Sequence, residues 1–144
     1  MTNDLRVVVD TNVLISGLFG IKDSPSSQIL NDIRNQKIIL VTSSFILEKI
    51  GEVINRERII KLTKMSPKER KEIMEMLIER SDIAQGKQLT VQVGRDIKDD
   101  IFLACAVETK ANYIVSGDTD LLVLNHYKDI KIITPREFLT ILKK

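Results

Sequence analysis

Short apolar runs alternate along this chain with longer amphipathic segments. Leu5-Arg6-Val7-Val8-Val9 is β-branched and apolar, and it reads as a buried strand ending at Asp10. Ser24-Pro25 supplies an N-cap with proline at the first helical position, which predicts a helix to roughly Asn35. Ile38-Ile39-Leu40-Val41 is a second buried strand. Thr42, Ser43 and Ser44 then offer capping hydroxyls to a helix carrying Phe45, Leu47, Glu48 and Val53. Ser66-Pro67-Lys68-Glu69 has the spacing of a capping box, and its helix is expected to reach about Gln85. Leu89, Val91 and Val93 alternate with polar residues, as a short third strand would.

Asp99 or Asp96 is placed to cap the next helix, which holds the apolar run Ile101–Val107 and ends near Lys110. Tyr113-Ile114-Val115-Ser116 predicts a fourth strand closed by Gly117, and Ile130–Ile133 a fifth. Thr134-Pro135-Arg136-Glu137 is a second capping box, opening the last helix. Strands alternating with helices predict an α/β domain with a mostly parallel sheet. With 144 residues, one such domain over residues 1–144 is expected.

Composition narrows the chemistry. One cysteine, Cys105, excludes a disulfide framework or a cysteine-rich zinc site, and one histidine, His126, leaves oxygen ligands to build any metal site. Both are expected to be structural, Cys105 in the core and His126 at the surface or packed. The Ile73, Met76, Leu77 stripe reads as core or as a dimer contact. No signal peptide is visible, and the longest apolar run has seven residues, so no membrane span and a cytoplasmic location are expected. Net charge is only +2, yet seven basic residues against two acids lie between positions 56 and 71. That stretch suggests a basic helical arm around 56–85. Arg56, Arg58, Lys61, Lys64 and Lys68 could hold a phosphate backbone, or could simply be a solvated face. With four Phe, two Tyr and no Trp, a broad base-stacking platform is not expected.

Ligands of open parallel sheets bind beyond the carboxyl ends of the strands. Asp10, Asp100 and Asp118 are all expected at that edge, and Glu48 lies one turn into the helix after the second strand. Each acid alone has an ordinary explanation as a turn, cap or solvated residue. Four of them on successive βα units are harder to assign to capping. Uncompensated, they would repel one another, and a hard divalent cation, Mg²⁺ or Mn²⁺, is the ordinary resolution.

Val8-Val9-Asp10-Thr11-Asn12-Val13-Leu14-Ile15-Ser16, Ser44-Phe45-Ile46-Leu47-Glu48, Asp99-Asp100-Ile101-Phe102-Leu103-Ala104 and Ile114-Val115-Ser116-Gly117-Asp118-Thr119-Asp120-Leu121-Leu122 together resemble the PIN-domain nucleases. The likeness is to the small single-domain type regarded as toxins of toxin–antitoxin pairs. It covers essentially the whole chain. It implies a three-layer α/β/α sandwich and an endoribonuclease using one or two Mg²⁺ or Mn²⁺ ions. It further implies an antitoxin protein as partner, RNA as substrate and a homodimer. Asp10, Glu48, Asp100 and Asp118 become the catalytic, metal-holding acids, with Asp120 as an auxiliary ligand. Asn12, Ser116, Thr11 and Asp99 would support them or touch substrate, and Ser116 stands where the family often has threonine.

A cation that activates water and neutralises phosphate charge needs no side-chain nucleophile. The chain indeed offers no Ser-His-Asp or Cys-His set. Two other readings compete with this one. An aspartyl-phosphate enzyme of the haloacid-dehalogenase type needs a second Asp where Asn12 stands, and a receiver domain needs a lysine where Thr134-Pro135 follows the fifth strand. A non-catalytic RNA-binding module would have no use for the intact acid set.

Overall fold

The computed structural model describes residues 5–84 and 97–143, with residues 97–99 described by their backbone. Within these residues six strands form one sheet: β1 (Arg6–Val9), β2 (Ile39–Ser43), β3 (Ser81–Ala84), β4 (Tyr113–Val115), β5 (His126–Tyr127) and β6 (Ile130–Ile133). Their order is β3-β2-β1-β4-β6-β5, parallel throughout except where β5 pairs antiparallel with β6. Among the described residues eight helices accompany them: α1 (Thr11–Phe19), α2 (Pro25–Arg34), α3 (Ser44–Ile54), α4 (Glu57–Thr63), α5 (Pro67–Glu79), α6 (Ile97–Thr109), α7 (Thr119–Leu122) and α8 (Pro135–Leu142).

The central strands are apolar on both faces because helices cover both. Val7, Val8, Leu40, Val41, Ile114 and Val115 are fully buried, as parallel sheets require. Consecutive connections from β1 to β2 to β3 run toward one edge, so the right-handed crossover rule places α1, α2, α3 and α5 on one face. The return from β3 to β4 crosses the sheet the other way and puts α6 on the opposite face. This is the mostly parallel, helix-flanked sheet that the hydrophobic pattern predicts. Gly17 permits the close approach of α1 and α2, since a Cβ there would stand 2.6 Å from the Ser26 carbonyl oxygen.

Helix starts follow the sequence closely. Ser24 Oγ accepts from Ser27 N at 3.2 Å, and Ser43 Oγ accepts from Ile46 N at 3.2 Å. Both capping boxes form, Ser66 with Glu69 and Thr134 with Glu137. The departures lie elsewhere. The helix expected to reach Gln85 ends at Glu79, and Ser81–Ala84 becomes the third parallel strand against β2. Serine and aspartate are weak helix formers, and the open edge of β2 provides backbone partners that a helix end lacks. The strand expected over Leu89–Val93 lies outside the described residues, as does Asp96. Because α6 begins at Ile97, Asp99 lies within its first turn rather than at its cap. The short β5 hairpin strand had no sequence signal beyond two residues.

The basic stretch is carried by α4 and α5. Leu77 of α5 is fully buried and Ile73, Met74 and Met76 pack against the core, so this part of the chain is anchored along one side. Arg70 ties the turn together, donating from Nε to Asn55 Oδ1 at 2.9 Å and from a terminal nitrogen to the Met65 carbonyl at 2.8 Å. Arg56, Arg58, Lys61, Lys64 and Lys68 are all exposed. Lys61 pairs with Glu57 at 3.1 Å. Cys105 is buried in α6, and His126 is exposed, both as expected. No helix among the described residues is long and apolar enough to cross a membrane.

Candidate active site

At the carboxyl edge of the sheet, β1 gives way directly to α1, and the residue at the junction is Asp10. Its backbone N–H still continues the sheet, donating to the Val115 carbonyl at 2.9 Å, while its own carbonyl accepts from Val13 and Leu14. Its side chain caps α1, with Oδ1 accepting from Asn12 N at 3.3 Å. The segment Asp10-Thr11-Asn12, a plausible turn from sequence, is therefore the start of a helix. The signal was available, because an acidic N-cap precedes apolar positions Val13, Leu14 and Leu18 at helical spacing.

The second Asp10 oxygen faces Ser116, at the end of the adjacent strand β4. Ser116 Oγ donates to Asp10 Oδ2 at 2.7 Å and accepts from Asp118 N at 2.9 Å. Ser116 is fully buried and Asp10 is 6% exposed. Asp118 in turn caps α7, its Oδ1 accepting from Asp120 N at 2.9 Å. One hydroxyl thus joins a buried carboxylate on one strand to the loop that carries a second carboxylate. Burial pushes the Asp10 carboxyl above its ordinary value. The bond from Ser116 and the amides of Asn12 and Thr11 oppose this, whereas the like charge of Asp118 adds to it. Asp118 is exposed and Asp120 half-buried.

Asp100 belongs to the same edge by a simple length argument. Arg6, at the start of β1, donates from Nε to the Thr109 carbonyl at 2.8 Å, which fixes the end of α6 at the amino edge. Nine residues back along a helix from Thr109 is about 13 Å, and four residues along a strand from Arg6 is also about 13 Å. Asp100 is therefore level with Asp10, on the sheet face that α6 covers. Glu48 lies one turn into α3 and is exposed. Ser43, the α3 cap, is level with Asp10, two residues beyond the Val8–Val41 pairing. Thr11 is buried and Asn12 exposed. The side chain of Asp99 is outside the described set.

The structure therefore places Asp10, Glu48, Asp100, Asp118 and Asp120 at one edge, and joins Asp10 to the Asp118 loop through Ser116. It does not close them into a cage: among the described residues, no three Asp, Glu, His or Cys side chains lie near enough to hold one ion. Glu48 in particular turns to solvent. The donors are nevertheless all oxygens, and Asp10 is a buried acid whose ionised form would gain most from a nearby positive charge. That donor chemistry fits a hard divalent cation.

A parallel sheet flanked by helices, with acids following β1 and β4, defines the class. A family model described as the PIN domain matches residues 6–120, and the chain belongs to that family. PIN domains are typically metal-dependent nucleases. The matched span includes all five acids at this edge and stops within α7. Among solved structures, the chain is similar to FitAcB from Neisseria gonorrhoeae, with a TM-score of 0.55 and 12% identity over 90% of this chain and 98% of that one. At such identity the likeness is one of fold. Comparison with curated proteins finds no match.

Proposed function

We propose that this protein is a Mg²⁺- or Mn²⁺-dependent endoribonuclease that hydrolyses RNA phosphodiester bonds, acting in the cytoplasm as the toxin of a toxin–antitoxin pair. The observation that carries the reading is the Asp10–Ser116–Asp118 arrangement at the carboxyl edge. A buried carboxylate whose charged form is disfavoured by burial is costly unless a cation or a reaction uses it. Asp10, Asp118 and Asp100 would hold the cation, with Glu48 and Asp120 in support. When bound, it would activate water and neutralise charge on the phosphate.

The chain's own residues do the positioning. Ser116 holds one Asp10 oxygen and the Asn12 amide the other, so the carboxylate plane is set before substrate arrives. The exposed cations of α4 and α5 would hold the flanking phosphate backbone. An antitoxin partner and a homodimer follow from the same reading.

A cleavage assay on structured and unstructured RNA, with Mn²⁺, Mg²⁺ or EDTA, tests it beside Asp10→Asn and Asp100→Asn. Cleavage that needs metal and is lost in both folded variants is the expected result. Retained activity in Asp10→Asn would remove Asp10 from the site. RNA binding without cleavage in any metal would favour a binding module instead. No metal binding at all would overturn the proposal.

A further inference from the structure

Of the chain's four Phe and two Tyr, all among the described residues, Phe45 alone is exposed, at 55%. Its position is an exception to its own helix. Along α3, Ile46, Leu47, Ile50 and Ile54 form the buried stripe. Phe45 belongs instead to the solvent stripe, with Glu48 three residues on and Glu52 seven residues on, both exposed. Residues three apart on a helix have Cβ atoms about 5–6 Å apart, so the ring adjoins the Glu48 side chain. Phe45 also lies two residues beyond Ser43, which is level with Asp10 on the neighbouring strand. An aromatic ring therefore stands open to solvent in the first turn of the helix that overlooks the acids. It neither fills the core nor caps the helix, since Ser43 does the capping.

We propose that Phe45 is a stacking platform for one unpaired base of the substrate, flanking the phosphate that the acids address. The inference rests on the ribonuclease reading and deepens it, because it names the residue that would order an unpaired stretch of RNA across the acids. A base must leave its helical stack to lie on a protein ring, and a lone ring accepts any base, since every base has a π face. A single platform is also what this chain can provide, its other aromatic rings being half-buried or buried. Phe45 acts as a positioning residue, ordering the strand across the acids rather than touching the reacting phosphate.

The test uses the full chain with a randomised single-stranded RNA pool, a duplex of defined sequence as control, and Ca²⁺ in place of Mg²⁺ for binding. Phe45→Ala is expected to weaken binding of the single strand about 5- to 150-fold, the range for loss of one stacked base. It should leave duplex binding unchanged, so the preference for single strands collapses. Phe45→Trp should restore binding and Phe45→Leu should not, because leucine keeps the apolar surface without the π face. Circular dichroism on each variant checks the fold, which an exposed position should not disturb. Equal binding by Phe45→Ala and wild type would overturn the proposal while leaving the nuclease reading intact, provided that the wild type cleaves. Rescue by leucine would make the contact apolar and not stacked, and a change in self-association with RNA binding unmoved would assign the ring to a protein contact; either result would overturn the proposal as well. Failure of the wild type to bind any RNA would remove both readings together.

Discussion

Removing the Ser116 hydroxyl should expose how Asp10 is kept charged. Ser116→Ala deletes one hydrogen bond to a carboxylate that is 6% exposed, so water has little access to replace it. Hydrogen bonds to charged groups contribute about 1.5–3 kcal/mol, and a loss of about 2 kcal/mol is the middle of that range. For a chain of this size, such a loss lowers Tm by roughly 6 °C near neutral pH. The pH dependence is the sharper check. Asp10 already titrates above its ordinary value of 3.8, and loss of the Ser116 bond moves it further up. A group whose pKa is raised by folding contributes stability that is present below the unfolded value and lost as pH rises through the folded one. The variant should therefore lie closest to wild type at and below about pH 3.8, diverge as pH rises, and show its full deficit near neutrality. Differential scanning calorimetry in EDTA from pH 3 to 8 measures this. Ser116→Thr, which keeps the hydroxyl, should follow the wild-type curve. Metal affinity and cleavage should fall about 10- to 100-fold in Ser116→Ala, the range for outer-shell partners of a metal ligand. A deficit that is the same at every pH would refute the reasoning, since it would mean that the hydroxyl packs the loop without supporting the charge.

Other positions offer independent checks. Thr42 is 2% exposed, and its hydroxyl has no hydrogen-bond partner among the described residues, so Thr42→Val should be stabilising by about 1 kcal/mol, visible as a higher urea midpoint with unchanged m value. Burial pushes the Cys105 thiol up to about 12, with Glu108 and Asp82 adding to it. Iodoacetamide at pH 8 should therefore label Cys105 only after unfolding, as read by mass spectrometry, and rapid labelling of the native chain would contradict its core position. Charge reversal at Lys61, Lys64 and Lys68 should weaken RNA binding and flatten the salt dependence by about two units of slope, as expected for three lost phosphate contacts on a single strand. Unchanged binding would make that stretch a solvated face.

How far the site could be read in advance differs from acid to acid. Asp10 and Asp118 stand at strand ends, and a strand end is announced by where an apolar run stops. Their edge was therefore visible in Val7-Val8-Val9-Asp10 and Ile114-Val115-Ser116-Gly117-Asp118. The family resemblance makes Ser116 a supporting residue, but its double role is not legible in sequence: the hydroxyl serves Asp10 and Asp118 at once only because β1 and β4 are neighbours, 106 residues apart in sequence. The same holds for Arg6 and Thr109, whose contact sets the height of α6 and so of Asp100. The sequence places Phe45 in a helix and no more, since its exposure depends on which face of α3 meets the sheet.

Local chemistry by itself determined the helix starts, for a serine or threonine followed by proline and glutamate satisfies its own orphan amides wherever the chain goes. It also determined the buried strands, whose β-branched runs have few other uses, and the oxygen-only character of any metal site. Tertiary structure alone decided the rest. Ser81–Ala84 is a strand because β2 had an unpaired edge to offer, a partner absent from its own neighbourhood in sequence. Asp10 is a buried acid with a raised pKa because the folded chain shuts water out from the end of β1 and Asp118 arrives beyond the adjacent strand. Backbone hydrogen bonds within a few residues can be read along the chain. The desolvation of a carboxylate and the company it keeps are sums over segments far apart in sequence, and they exist only once the sheet has formed.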